Sequence, residues 1–137
     1  MKNLQLSLKT KWFEMTKSDV KTEDYREITP YWVKRLIEPI DEGVTIENVI
    51  YYLNGGELDH YRNSGFIFKK FDINTMTLGY PKSGDSERIL TLKHKGIEIR
   101  TGNPDWGAEE GKLYFVILHG APTKSEIKFA RFVPVTD

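Results

Sequence analysis

The chain reads as an α+β protein in which short helices near the N-terminal half precede a small curved sheet or β barrel. Two observations lead there. Helical patterns surround Trp12 and Trp32 near the front, and from Phe66 onward strand-like runs are separated by Gly-rich turns. A third bounds the size: 137 residues with three Trp, seven Tyr and seven Phe are enough for one core and suit a single domain over 1–137.

The elements follow in order. Leu4, Leu6 and Leu8 alternate with polar residues, which is the period of a half-buried strand. Thr10 is placed as the cap of a short helix from Lys11 to Lys17, with Trp12, Met15 and Thr16 on one face. Lys17-Ser18-Asp19 is a turn, and Val20 to Ile28 is extended. Thr29-Pro30 starts a second helix, with Thr at the cap and Pro at the first helical position. Its apolar face is Trp32, Val33, Leu36, Ile37 and Ile40; Tyr31, Lys34, Arg35 and Glu38 point elsewhere.

Thr45 to Leu53 fits two descriptions. Ile46, Val49, Ile50 and Leu53 have helical spacing, while Val49-Ile50-Tyr51-Tyr52 has strand composition; the spacing favours a helix. Glu57 to Ser64 is loop-like. Strands are expected over Phe66–Lys70, Phe71–Leu78, Ile89–His94, Ile97–Arg100, Leu113–Leu118 and Ile127–Val135, with Gly96 breaking one pair at a bulge. Gly79–Gly84 and Gly102–Gly107 are the turn-rich loops between them.

Composition excludes several classes. With no Cys there are neither disulfides nor thiolate metal sites, and His60, His94 and His119 form no metal-ligand pair, so no metal or cofactor is expected. Nothing resembles a signal peptide or a membrane span, and the expected location is the cytoplasm. Net charge is zero, so an anionic partner would have to be met by a local patch.

Such a patch lies between Lys17 and Leu36. Lys21, Arg26, Lys34 and Arg35 stand beside Tyr25, Tyr31 and Trp32, with Glu23, Asp24 and Glu27 between them. Cations that hold phosphates and aromatic faces that stack bases are what single-stranded RNA needs. Arg26 can grip a phosphate by two prongs or pair internally with Asp24 or Glu23. Glu23 or Asp24 can accept from the exocyclic amine of a base, which favours a small nucleobase-selecting cleft over a broad basic surface. Trp12 and Trp32 fall on apolar helix faces and read as core, and Tyr25 either stacks or fills the inner face of its strand. Tyr80 and Trp106 sit in loops, where packing explains a large aromatic less well. The candidate binding set is Lys21, Glu23, Asp24, Tyr25, Arg26, Tyr31, Arg35, Tyr80 and Trp106. A surface this rich in Tyr and Trp also fits a protein-interaction module.

Lys21-Thr22-Glu23-Asp24-Tyr25-Arg26, preceded by Leu6-Ser7-Leu8-Lys9 and Lys11-Trp12-Phe13-Glu14 and followed by Pro30-Tyr31-Trp32, resembles the ASCH domains, a branch of the PUA-like barrels. Leu78-Gly79-Tyr80, Gly96-Ile97-Glu98-Ile99, Gly102, Trp106-Gly107 and Tyr114-Phe115-Val116-Ile117 fit the same subgroup, so the resemblance covers most of the chain in pieces. It implies a PUA-like curved β pseudo-barrel and one of two functions. The first is binding of RNA or a modified nucleotide in a cleft between barrel and helices. The second is amide hydrolysis of N(4)-acetylcytidine by a Lys, a Thr nucleophile two positions before the motif Arg, and a distant Glu.

The chain departs from that pattern twice. Asp19 stands where the family usually has Gly, and Asp can also enter a left-handed turn. Asp24 stands at the Thr nucleophile position. A carboxylate cannot replace a hydroxyl nucleophile without changing the mechanism, although it can activate water as a general base. Thr22, two residues before Asp24, is expected on the same side of the strand as Asp24 and Arg26 and opposite Lys21. The catalytic candidates that the resemblance supplies are therefore Lys21 and Asp24, and binding is ranked above catalysis.

Overall fold

A computed structural model describes residues 2–54, 65–82 and 84–122, the last two without their side chains. The strand expected over Ile127–Val135 and the loop expected over Glu57–Ser64 lie outside the described residues. Those residues form an α+β arrangement. In chain order the elements are β1 (Asn3–Leu8), α1 (Thr10–Lys17), β2 (Glu23–Arg26), α2 (Pro30–Leu36), β3 (Ile37–Pro39), α3 (Ile46–Asn54), β4 (Phe66–Phe68), β5 (Ile73–Leu78), β6 (Ile89–Thr101) and β7 (Leu113–Pro122). Five strands hydrogen-bond in the order β1-β5-β6-β7-β2, and β3 pairs with β4. None of the described helices is long and apolar enough to cross a membrane.

The residues group into two compact units. Among the described residues, the first holds 2–22, 71–82, 84–96 and 118–122; the second holds 23–54, 65–70 and 97–117. In the first unit β1 runs parallel to β5, and β5 antiparallel to β6. Their register sets Leu4, Asn74 and Leu92 in one row and Leu6, Met76 and Leu90 in the next. These six side chains are buried together with Phe13, the fully buried residue of α1. The alternation of Leu4, Leu6 and Leu8 thus makes the inner face of β1, as its period predicts.

In the second unit, α2 packs on α3 and on β3. Val33 and Leu36 of α2, Val49 and Leu53 of α3, and Phe66 of β4 are buried there. Tyr114, Phe115, Val116 and Ile117 of β7 are buried in succession, as their unbroken apolar run requires. Phe115 meets Phe68 edge to face, with ring centroids 6.3 Å apart.

Several boundaries differ from expectation. Thr10 is the first residue of α1 rather than its cap; Lys9 holds the cap position and gives no side-chain hydrogen bond. The apolar face of α2 is shorter than its spacing suggested. Ile37 is buried but belongs to β3, and Ile40 is exposed. Trp12 and Trp32, read as core, are only half-buried. Gly96 does not divide β6, which is one strand of 13 residues, and its φ of 121° suits Gly within that strand. The stretch over Thr45–Leu53 is helical. Strand composition there yields to helical spacing because α3 buries only one face, Val49 and Leu53.

Candidate functional site

The turn after α1 sets Lys21. Asp19 has a φ of 65°, the one positive value among the described residues that are not Gly. Around it, the Val20 amide donates to the Met15 carbonyl at 3.0 Å and the Asp19 amide to the Thr16 carbonyl at 3.1 Å. This is the Schellman pattern, in which a left-handed residue lets the chain fold back on the last carbonyls of a helix. Asp19 thus enters the left-handed conformation that a short polar residue tolerates. The Lys21 amide donates to the same Met15 carbonyl at 3.0 Å, so the chain leaves the helix directly at Lys21.

Lys21 is 2% exposed. A solvated lysine at a strand entrance, the ordinary expectation for this residue type, is thus not what the fold makes of it. Its ammonium lies 6.0 Å from the centre of the Trp12 indole, and that of Lys11 lies 4.9 Å from the same ring. The Lys21 carbonyl accepts from His119 Nε2 at 3.0 Å. A carbonyl only accepts, so the proton of His119 resides on Nε2. The His119 amide donates to the Thr22 carbonyl, so β7 holds this segment by two bonds. Sequence reasoning missed His119, because no local pattern links it to a residue 98 positions away.

A second polar pair, one member of it buried, lies in the first unit. Asn74 is fully buried; its amide donates to the Leu118 carbonyl at 3.3 Å, and its Oδ1 lies 2.7 Å from His94 Nδ1. Oδ1 only accepts, so His94 donates from Nδ1, and the neutral ring carries its lone pair on Nε2. Burial lowers the His94 pKa below its ordinary value, against the opposing charge of Asp72.

In the second unit, β2 carries two acids with separate partners. Glu23 Oε2 accepts from Arg100 Nη2 at 2.6 Å, and its Oε1 accepts from Arg100 Nη1 at 3.1 Å. The Tyr25 hydroxyl also donates to Glu23 Oε1, at 2.6 Å. Three of the roughly four acceptor positions of the carboxylate are thereby filled. The Tyr25 hydroxyl in turn accepts from the Asn103 amide at 2.9 Å, and its ring sits 5.7 Å from that of Tyr114. Burial, then the hydrogen bond to Glu23, raises the Tyr25 pKa, and the bonds to Glu23 and Glu98 raise that of Arg100. Tyr25 thus anchors the loop from Gly102, where an added Cβ would lie 2.6 Å from the Tyr25 ring and 2.7 Å from the Ala108 Cβ.

Asp24, 4% exposed, accepts from Arg26 Nε at 2.6 Å. Thr22 is exposed and precedes β2, which begins at Glu23. The Arg26 guanidinium carbon lies 5.0 Å from the centre of the Trp32 ring, and that of Arg35 lies 5.1 Å from the same ring. Arg35 also stands 5.6 Å from the Tyr31 ring and donates to the Tyr31 hydroxyl at 3.0 Å. Tyr31 meets Trp32 edge to face at 5.1 Å and is 61% exposed. Thr29 and Pro30 make this possible. Thr29 Oγ1 accepts from the Trp32 amide and opens α2 at Pro30, which sets Tyr31 and Arg35 one turn apart.

The predicted residues therefore separate. Asp24, Arg26, Tyr31 and Arg35 gather around Trp32, while Glu23 and Tyr25 belong to the Arg100–Asn103 network. Lys21 lies in the first unit. Tyr80, on the loop after β5, is 96% exposed, and Trp106 ends a 3-10 turn over Pro104–Trp106 and is half-buried. Lys69 is a member of the α2 surroundings that sequence reasoning missed; its ammonium donates to the Lys34 carbonyl at 3.0 Å. Among the described residues no group of three His, Asp or Glu is placed to hold a metal ion. A cleft of about 240 Å³ opens between the α3 residues Asn48 and Tyr52 and the preceding acids Asp41 and Glu42, and it involves none of the predicted residues. Comparison of the chain with family models, with curated proteins and with solved structures gives no match.

Proposed function

We propose that the chain binds RNA or a nucleotide, through a surface on which fixed cations meet aromatic rings. The reading rests on one observation: two guanidiniums lie about the half-buried Trp32, with one on Asp24 and the other on Tyr31. Guanidinium groups held this way are preorganised to meet two oxygens of an anion such as phosphate, because little rotamer freedom remains to be lost on binding. Tyr31 offers an exposed face on which a base can stack. The same proposal includes the fold family, a PUA-like pseudo-barrel of the ASCH type, and a cytoplasmic location. The left-handed Asp19 at the family's usual Gly position supports the first of these.

Titration with short single-stranded RNA and with free nucleosides, at low and high salt, tests the reading. Binding at low salt that weakens in Arg26→Ala and Arg35→Ala is the expected result. Absence of binding by every one of these ligands at low salt would leave a protein partner as the surviving class.

A second reading, hydrolysis of an N(4)-acetylcytidine-like amide, draws support from Lys21. An ammonium that is 2% exposed is costly to desolvate, and such lysines are often kept for chemistry. Incubation with N(4)-acetylcytidine tests it. Release of cytidine that Lys21→Ala abolishes would place catalysis above binding.

A further inference from the structure

We propose that the cleft at the start of α3 binds a small organic cation, a primary ammonium carried on a short apolar or aromatic arm. The cleft shares no residue with the surface around Trp32, and the inference does not depend on the binding reading above.

The cleft is built wholly within the second unit, and its shape follows from backbone constraints. The amides of Ile40 and Asp41 both donate to the Gly65 carbonyl, at 2.7 and 3.1 Å, which ties the chain before α3 to the start of β4. Gly65 has a φ of 88°, and an added Cβ there would lie 2.9 Å from Asp41 Oδ2 and 2.9 Å from Val44 Cγ2. The Asp41 carboxylate is thus set close against the Gly65 backbone. Thr45 Oγ1 accepts from the Asn48 amide at 3.1 Å and opens α3, so that Asn48 and Tyr52 fall one turn apart on the same face. The buried Val49 and Phe66 form an apolar floor, and Tyr52 meets Phe66 edge to face with ring centroids 6.2 Å apart. Asp41, Glu42 and Asn48, all exposed, form the polar rim.

Charge sets the class of ligand. From Leu36 to Asn54 the chain carries four acids, Glu38, Asp41, Glu42 and Glu47, and neither Lys nor Arg. Glu47 stands in the first turn of α3, where the helix dipole favours an acid, and Glu38 lies on β3; neither lines the cleft. Asp41 and Glu42 do line it, and among the described residues their carboxylates form no ion pair. Of the nearest described cations along the chain, Arg35 donates to the Tyr31 hydroxyl and Lys69 to the Lys34 carbonyl, and none of Lys34, Arg35, Lys69 and Lys70 lines the cleft. Two carboxylates on one rim repel an anion, and a neutral apolar guest would draw them from water without a partner. A calcium ion takes six to eight oxygens, and the floor of Val49 and Phe66 supplies no side-chain oxygen. An ammonium has three donors and no acceptor, which suits three rim side chains that each bear an acceptor oxygen, while its arm covers the floor. The volume of about 240 Å³ lies below the roughly 300–1,000 Å³ of pockets for drug-sized molecules, so one amine on one short arm fills it.

The test is an NMR titration of the full-length, nitrogen-15-labelled chain at low salt with benzylamine, and with benzyl alcohol as its neutral counterpart. Benzylamine should move the amide signals of Gly43, Asn48 and Phe66, and should bind about fivefold or more tightly than the alcohol. Asp41→Asn and, separately, Glu42→Gln should each weaken benzylamine about two- to fivefold and leave the alcohol unaffected. Both acids are exposed, so thermal melting should stay that of the parent. Added salt should narrow the gap between the two ligands. Equal affinities for amine and alcohol would overturn the inference, because the cleft would then select only for apolar shape. Calcium chloride that moves the same signals and displaces benzylamine would replace it with a metal site. Absence of any shift at millimolar benzylamine would end it outright, as would shifts confined to residues away from the cleft.

Discussion

Lys21 carries its charge on a residue only 2% exposed, whereas the Arg26 side chain, five positions later, keeps 19% of its surface in water. Lys21 is placed by backbone: a left-handed Asp19, two amides on the Met15 carbonyl and the His119 imidazole on its own carbonyl. Arg26 is placed by side chains, with Asp24 on its Nε and Trp32 beneath it. The contrast follows from the two cations. A guanidinium is planar and weakly hydrated, so it can stack while half wet. An ammonium is a compact, strongly hydrated point charge, and burying it requires a fold that leaves it no other position. Changes at the first region should therefore register mainly in stability, and changes at the second mainly in binding.

The largest expected effect breaks this contrast if it fails. Lys21→Ala should lower unfolding free energy by about 2–4 kcal/mol, as truncation of a long buried side chain does, and Lys21→Met by less because the stem stays. Arg35→Ala, by contrast, should cost no more than about 0.5 kcal/mol. Equal costs for Lys21→Ala and Arg35→Ala in urea titrations would remove the distinction.

Gly102→Ala probes the rigid side of the second unit. Its Cβ would press on the Tyr25 ring and on Ala108, and a loss of about 1–3 kcal/mol is expected. Melting within a degree of the parent would mean that Tyr25 does not hold this loop in place.

Asp19→Gly sharpens the account of the first turn. Gly meets no Cβ penalty at a φ of 65°, so a gain of about 0.5–1 kcal/mol is expected, and Asp19→Val should lose stability. A loss on Asp19→Gly would show that the Asp side chain itself holds the turn.

The smallest effect is that of pH on His94. Burial lowers its folded-state pKa below 6.5, so the unfolded chain takes up this proton first. The contribution of His94 is then fully present above pH 6.5, declines as pH falls through that value, and levels off below the folded-state pKa. Unfolding measured at intervals from pH 8 to 5 should show a shallower acid decline in His94→Gln; identical declines would assign the pH dependence to other groups.

Local rules made much of this legible in advance. The period of two in Leu4-Leu6-Leu8, the Thr29-Pro30 start of α2 and the tolerance of Asp19 for a left-handed turn each depend on a few adjacent residues, and each is present in the fold. The helical spacing over Thr45–Leu53 prevailed for the same reason. The errors have a different origin. Ile37 leaves α2 because β4 offers it a strand partner, Phe68, and no reading of α2 alone contains that partner. Gly96 stays within one long strand because pairing with its neighbours outweighs a local preference to break.

The candidate site divides along the same line. That cations and aromatic rings crowd the stretch from Lys17 to Leu36 follows from residue order, since neighbours in the chain must remain neighbours in space. Which acid takes which cation does not. Glu23 is claimed by Arg100, 77 positions away, while Lys69 joins α2 from 35 positions beyond Lys34. Lys21 is enclosed in a unit whose other parts lie beyond Phe71. Periodicity and capping act over one or two turns of chain and are written in it. Burial and charge pairing are settled only when distant segments exclude water from the same place.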